Sequence, residues 1–523
     1  MGSTSMGSMT KRNLLTNSGV VLTTQIWSLF LAFFTTPYII RNLGTEAFGI
    51  LSIIMVLIGS LSFLDLGFGW ALTKYISEFW AKDDRDAIRK SFSVALFVSL
   101  SLGLFASALV ILSADWLAKH AFNIPDIWLI ESINAIRISA VVFFFTSLVG
   151  VYSSLFRGLQ RFDLSNLTQS VFYSLYTLGS VALLFFNKGL IEIVWLNLML
   201  SGLSLVVHIL LANRYLPGGV SWIPRFHKSY FKLIWSFGFF SMISRLGGIT
   251  ILYVDKFFVS YFLPISMLPY YIVSFNLSQK LNFMGSNIAL VLMPFASEKK
   301  SLNQMIAYKR VYFRVTKMLW LLTLAPTLVF AVFADKILGL WIGLDFADHG
   351  ATPLIFLSIG FFLISVASLD AVSIEGVGKP RITALFHSIV SILCLIFLPF
   401  ITKYYGIVGT SVVICLAFLS LSFLNIIYFN IYVLKSPLRN YITLICYPCF
   451  KVIVLTVPFL LLIKVLANDL PTLILICFVS VLLILFIGAS FLFDKEDRSL
   501  IKNLVLGYLG KINKTFQTQL FKI

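Results

Sequence analysis

An all-α polytopic membrane protein of about fourteen transmembrane helices is predicted from three observations. Apolar runs recur along the 523 residues, each near the roughly 18–20 residues a helix needs to cross about 30 Å of hydrocarbon. The chain is 59% hydrophobic and only 12% charged, with a mean hydropathy of +0.95, a balance foreign to soluble domains. Its net charge of +18 gathers between alternate runs, which is the positive-inside pattern and removes the need for a nucleic-acid partner.

In order, the runs cover 14–40, 47–73, 91–112, 132–156, 164–186, 190–212, 231–262, 267–294, 314–334, 351–374, 382–401, 407–433, 446–466 and 471–493. With the N-terminus in the cytoplasm, about 29 of the 40 Lys and Arg fall on the cytoplasmic side and about 7 outside. External loops hold Asp115, Asp126, Asp335, Asp345 and Asp348 instead. Both termini are therefore expected in the cytoplasm. Residues 1–13 form an N-terminal segment whose first eight residues read as an expression scar, with Met9 as the natural start. The first run is too long for a signal peptide and reads as an uncleaved helix. Ser297–Tyr312 puts Leu302, Met305 and Ile306 on one face and is expected to lie as an amphipathic helix on the cytoplasmic surface. The basic tail, 494–523, repeats that pattern. Five cysteines lie in or beside apolar runs, so no disulfide framework is expected, and Cys446-Tyr-Pro-Cys449 reads as packing rather than as a metal or redox site.

A weak internal repeat sets the larger organisation. The fourth run exits through Arg157-Gly-Leu-Gln-Arg161-Phe-Asp163 and the tenth through Glu375-Gly-Val-Gly-Lys379-Pro-Arg381, with Gly158 and Gly376 218 residues apart. Six intervening runs keep the copies in one orientation, a parallel repeat. This predicts two six-helix lobes, 14–212 and 231–433, around a central cavity. A cytoplasmic linker, 213–230, joins them, and two added helices lie within 434–493.

Charges inside the runs mark candidate sites, because a charge in hydrocarbon must face protein, water or a ligand. Arg245 lies ~21 Å from Phe231 at ~1.5 Å per residue. Ser241, Arg245, Gly248 and Lys256 share a positive stripe. The next run carries Asn276, Lys280 and Asn287 on another stripe, with Lys280 at about the depth of Arg245. Two buried cations at one depth suggest a water-accessible site for an anion. Arg137, near the outer end of the fourth run, either guides that anion or pairs with Glu131. Arg41, at the outer end of the first run, either caps it or joins the site. Asp65, Asp370, Asp255, Glu375 and Lys74 are gating or ion-coupling candidates, with Lys74 or Lys379 as partner to Asp65 or Asp370. Asp255 is placed to neutralise Lys256 or Lys280, although adjacent residues diverge by ~100° and should not share a face. Asn17, Thr24, Ser28 and Thr35 form one polar stripe, which either lines the cavity or bonds helix to helix.

Read in order, the chain resembles the oligosaccharide flippases of the multidrug/oligosaccharidyl-lipid/polysaccharide exporter superfamily, of the polysaccharide-transport or O-antigen type. The resembling residues are Pro37-Tyr-Ile-Ile-Arg41-Asn-Leu-Gly44-Thr-Glu46-Ala-Phe-Gly49, Leu64-Asp65-Leu-Gly67-Phe-Gly69, Lys74-Tyr-Ile-Ser-Glu78-Phe, Gly158-Leu-Gln-Arg161-Phe-Asp163 and Tyr253-Val-Asp255-Lys256-Phe. The resemblance covers nearly the whole chain. It implies alternating access and a cargo of polyprenyl-pyrophosphate-linked oligosaccharide, an O-antigen, capsule or exopolysaccharide repeat unit, moved to the outer leaflet. A pyrophosphate head suits the buried Arg and Lys, since both match phosphate oxygens. Expected partners are this lipid, membrane lipids, and a polysaccharide polymerase with its chain-length machinery. A monomer is the default state. No cofactor or metal is expected, and H+ or Na+ is the candidate coupling ion.

Nearby alternatives are a peptidoglycan-precursor flippase and a gradient-driven drug exporter, the latter disfavoured because cationic drugs prefer carboxylates. An enzyme, such as a membrane glycosyltransferase or ligase, is not expected. Asp84-Arg-Asp86 looks like a solvated face, the five His are scattered, and no P-loop motif occurs.

Overall fold

The computed structural model describes residues 4–61, 68–215, 224–302, 304–495 and 497–498. Side chains are described within these from Thr23 onward, other than at 237–245, 249, 284, 286–287, 289–295 and 297–301. Asp65 and most of the basic tail thus lie outside the described residues, as do the side chains of Asn17, Arg245 and Asn287.

The described chain is helical, without strands. Its α-helices are α1 (Thr4–Ser60), α2 (Phe68–Ala81), α3 (Arg85–Trp116), α4 (Asp126–Gly158), α5 (Phe162–Phe185), α6 (Leu190–Tyr215), α7 (Lys228–Phe262), α8 (Leu268–Ser301), α9 (Met305–Trp341), α10 (Leu344–Gly376), α11 (Pro380–Tyr428), α12 (Leu438–Tyr441), α13 (Tyr447–Ile463) and α14 (Leu470–Leu492). Two of them carry parts of two expected segments: α1 holds the first and the second as far as Ser60, with α2 taking up from Phe68, and α11 holds the eleventh and most of the twelfth. Gly44, at φ 80°, folds α1 between the first and second segments, and Gly406, at φ 61°, folds α11 between the eleventh and twelfth. Only glycine takes such angles readily. A π-helical turn joins α12 to α13, which together form the thirteenth segment. Among the described residues, ten helices are long and apolar enough to cross a membrane; α7 and α8, which carry the charges of interest, are not among them.

Capping residues explain several ends. Asp84 accepts the Ala87 N–H at 2.9 Å to start α3, and Asp469 and Thr472 form a capping box before α14. The expected surface helix over Ser297–Tyr312 is corrected. α8 runs on to Ser301 and α9 starts at Met305, so the stretch is a helix end, a break and a helix start. Tyr308 and Tyr312 are buried, and these two large rings draw the start of α9 into the core.

The repeat is visible in the turns. Gln160 and Gly378, 218 residues apart, both have positive φ, as do Asn187 and Gly406, 219 apart. The basic residue after each member of the first pair docks on a tyrosine. Arg161 lies 4.2 Å from the Tyr215 ring centroid, and Lys379 lies 5.5 Å from that of Tyr428.

By contacts, the chain divides into two compact units. The first comprises Met1–Ile272 and His387–Thr410. In it, Leu72, Ile76, Phe92, Tyr152 and Phe156 bury one core among α2, α3, α4 and α6. α7 joins this unit because Ile234, Phe231 and Trp235 pack on Phe68 and Val94. The start of α11 joins through the Ser391 hydroxyl, which donates to the Gly247 carbonyl at 2.8 Å. The second unit comprises Val273–Phe386 and Ser411–Ile523. Its main core places α13 and α14 against α9 and α10 through Leu321, Phe333, Phe362, Val452 and Ile484.

Two expectations follow from this packing. At Gly158 a Cβ would lie 2.6 Å from Ile76 Cγ2 and 3.1 Å from the Thr73 carbonyl. Gly158→Ala should therefore destabilise the fold by about 1–3 kcal/mol, read as a lower thermal midpoint, while Gly150→Ala, with open space around it, should not. In the second unit, Asp497 binds Arg314 and also Lys317, at 3.3 Å. Burial alone pushes the Asp497 carboxyl up, but hydrogen bonds and charge from Arg314 and Lys317 outweigh it and hold it below its ordinary value. A depressed folded pKa stabilises fully above the ordinary carboxylate range of about 4, and that stability is lost as pH falls through the depressed value. Thermal midpoints measured from pH 7 to pH 3 should fall with acid, and Asp497→Asn should flatten that dependence while lowering the pH 7 value.

Candidate functional site

α7 brings the first group together. Asp255 and Lys256 are both buried, and Lys256 Nζ sits 3.1 Å from the Asp255 carboxylate. The same ammonium reaches both carboxylate oxygens and donates to the Leu252 carbonyl at 2.7 Å, and the Tyr271 phenol donates to Asp255 Oδ2. Of the two partners expected for Asp255, the structure pairs it with Lys256, although adjacent residues were not expected to share a face. The Cβ atoms do diverge, but the four-carbon lysine stem curls back one turn and carries the charge across the gap. Lys256 thus leaves the positive stripe to complete an ion pair.

α8 shows a clean division of faces. Ser274 donates to the Gly350 carbonyl at 2.9 Å, Ser278 lies 3.0 Å from Ser358, and Ser365 donates to the Leu281 carbonyl at 3.2 Å. These contacts fix the face that packs on α10. Asn276 and Lys280 lie on the opposite side of the helix and are exposed, among residues otherwise largely buried. By helical period, Asn287 continues that stripe. Arg245 lies on α7, and its side chain is outside the described residues.

A third group surrounds Asp370, which is buried on α10. The Tyr312 phenol donates to one carboxylate oxygen, and Asn430 Nδ2 reaches the Tyr312 oxygen at 3.5 Å. The other oxygen of Asp370 and the amide oxygen of Asn430 have no hydrogen-bond partner among the described residues. Lys379 does not reach Asp370; its ammonium donates to the Tyr428 hydroxyl at 3.3 Å. Lys379 stands beyond the turn that ends α10 at Gly376, six residues and roughly 9 Å of helix past Asp370. Glu375 instead accepts from Thr383 at 3.0 Å, tying α10 to the start of α11.

The remaining candidates are dispersed. Arg137 pairs with Asp115 at 2.7 Å rather than with Glu131, because α3 and α4 lie side by side there. Arg41 is exposed near the Gly44 fold. Lys74 lies 4.8 Å from the ring centroid of Tyr75. Ser28 donates to the Thr24 carbonyl at 2.8 Å and Thr35 to that of Leu31 at 2.7 Å, so these hydroxyl protons serve their own helix. Among the described residues, no group of three or more His, Cys, Asp or Glu gathers as a metal site. Tyr271, Tyr312 and Asn430 are the partners that sequence reading passed over. Tyr271 lies three residues into α8 and Tyr312 seven into α9, near helix ends where tyrosine is common, so neither gave a signal.

Comparison with known proteins then fixes the family. The profile described as "Polysaccharide biosynthesis protein" matches residues 14–299. The chain belongs to that family. Among relatives of this polysaccharide biosynthesis protein is the "Putative O-antigen transporter" of Shigella flexneri, 22% identical over 405 residues, covering 75% of this chain and 93% of the relative. The structure of the lipid II flippase MurJ, inward closed, superposes with a TM-score of 0.68 at 16% identity, covering 92% of this chain and 99% of that one. An inward-facing multidrug resistance MATE family transporter of the MOP superfamily gives 0.65 at 13% identity, covering 80% and 98%. At these identities the likeness establishes the fold.

The ion pair on α7 generates a stability test. Asp255→Asn leaves a buried, unpaired ammonium and should cost about 3–5 kcal/mol. Adding Lys256→Met should recover much of that loss, measured as thermal midpoints across the double-mutant cycle.

Proposed function

We propose that this polysaccharide biosynthesis protein is a flippase. It carries a polyprenyl-pyrophosphate-linked oligosaccharide from the cytoplasmic to the outer leaflet of a bacterial inner membrane by alternating access. The family match and the transporter among its relatives support transport over enzymology. The observation that carries the reading is Lys280, an exposed cation deep in a long helix whose opposite face packs on α10 through Ser274, Ser278 and Leu281. A lysine presented to lipid there would be costly, so its face belongs to water and an anionic ligand. The pyrophosphate is that anion, with Asn276 one turn from Lys280 and Arg245 at about the same depth as Lys280 in the sequence pattern. Asp370, with a carboxylate oxygen that has no hydrogen-bond partner among the described residues, is the group we assign to a coupling H+ or Na+. Both termini lie in the cytoplasm in this reading.

A second reading, a peptidoglycan-precursor flippase, is favoured by one observation. The likeness to the lipid II flippase spans 92% of the chain, against 80% for the multidrug transporter.

The test is translocation in proteoliposomes with and without proton or sodium gradients. Wild type should move the oligosaccharide lipid. Arg245→Ala/Lys280→Ala should reduce the rate by about 10- to 100-fold, the loss of one or more charge-assisted hydrogen bonds. Full activity in the double variant would remove the cation site. Export of organic cations in place of the lipid would replace the flippase with a drug exporter.

A further inference from the structure

α5 has a different chemistry on each of two exposed faces. It is the least apolar of the ten helices long and apolar enough to span. On one face Leu167, Val171, Leu175 and Leu178 are each about half exposed. With Trp27 of α1 they border an apolar groove of about 410 Å³. That is a face made for lipid chains. Its flanks are fixed by two neighbours. Ser174 accepts from the Trp27 indole of α1 at 2.9 Å, and Thr168 lies 3.4 Å from His208 of α6.

The opposite face carries Phe162, Asn166, Gln169 and Tyr173, at offsets of 4, 7 and 11 residues that close nearly whole turns. Gln169 is exposed, and Tyr173 is 38% exposed. Asn166 spends one amide proton on the Phe162 carbonyl at 2.8 Å, which leaves its amide oxygen free to accept. A helix cannot offer lipid an amide face and an apolar face on opposite sides at similar cost, since an unpaired amide in hydrocarbon costs several kcal/mol. The polar face is therefore aqueous. Its only charged neighbour within α5 is Asp163, already bound to Arg161 at 2.9 Å.

We propose that Asn166, Gln169 and Tyr173 form the face that recognises the glycan of the cargo. This rests on the flippase reading and adds which residues meet the sugar. Side-chain amides offer a donor and an acceptor side by side, the pattern that neighbouring sugar hydroxyls present. The phenol ring offers an apolar surface to the C–H face of a pyranose and a hydroxyl at its edge. A charge-free face suits a neutral polyhydroxyl group. A pyrophosphate would want cations and a cationic drug would want carboxylates, and this face has neither. Selection of the glycan is thus assigned to chemistry distinct from the capture of the anionic head.

The test uses the full chain. Gln169→Cys and Tyr173→Cys are treated with a charged, membrane-impermeant maleimide over the wild-type background. Labelling is expected; labelling by lipid-soluble reagent alone overturns the proposal whatever the protein transports. Gln169→Ala and Tyr173→Ala are then compared in proteoliposomes on two lipids, polyprenyl pyrophosphate bearing a neutral tetrasaccharide and polyprenyl pyrophosphate bearing one sugar. Each variant should raise the half-saturating concentration of the tetrasaccharide lipid about three- to tenfold, as for a lost neutral hydrogen bond, and leave the one-sugar lipid unchanged. Leu175→Ala, on the apolar face, should change neither. Equal effects on both lipids, or none, overturn the glycan assignment and leave the flippase reading standing. A wild type that moves neither lipid overturns the flippase reading, and the glycan assignment with it.

Discussion

The governing constraint is that hydrocarbon offers no partner to a polar group. Every charge and amide within a membrane helix must find protein or water. Asp255 and Lys256 meet the constraint by closing on each other and on Tyr271, whereas Asp370 meets half of it through Tyr312. Lys280 meets it by standing on the one face of α8 that does not pack on α10. The three solutions differ in consequence. A closed pair holds structure, whereas in the proposed reading the carboxylate serves a coupling ion and the exposed cation a ligand.

The same constraint explains what was legible in the sequence. Segment count and order were readable because each helix must be long and apolar. Even the folds at Gly44 and Gly406 fall where adjoining runs were expected to part. The parallel repeat was faint in sequence, resting on Gly158 and Gly376. It is firmer in the backbone, where Gln160 and Gly378 take the same left-handed conformation. Side-chain partnerships were less legible. Helical periodicity places Cβ atoms, not the ends of long side chains, so it separated Lys256 from Asp255. Arg137 found Asp115 on α3 because contacts between helices are invisible to a single-helix pattern. The start of α9 looked like a surface helix because exposed Leu302 and Ile306 were weighed and the buried Tyr308 and Tyr312 were not.

The polar face of α5 was overlooked for a related reason. Asn166, Gln169 and Tyr173 carry no charge, and reading for charges alone passes over them. Their meaning comes from exposure on the side opposite Leu167, Val171, Leu175 and Leu178.

The most direct test of the account is binding by native mass spectrometry of the purified protein, comparing polyprenyl pyrophosphate with the uncharged polyprenol. The account predicts retention of the pyrophosphate lipid, its displacement by inorganic pyrophosphate, and weakened retention in Lys280→Gln. Equal retention of polyprenol, or no effect of Lys280→Gln, would contradict an anion site on the exposed face of α8.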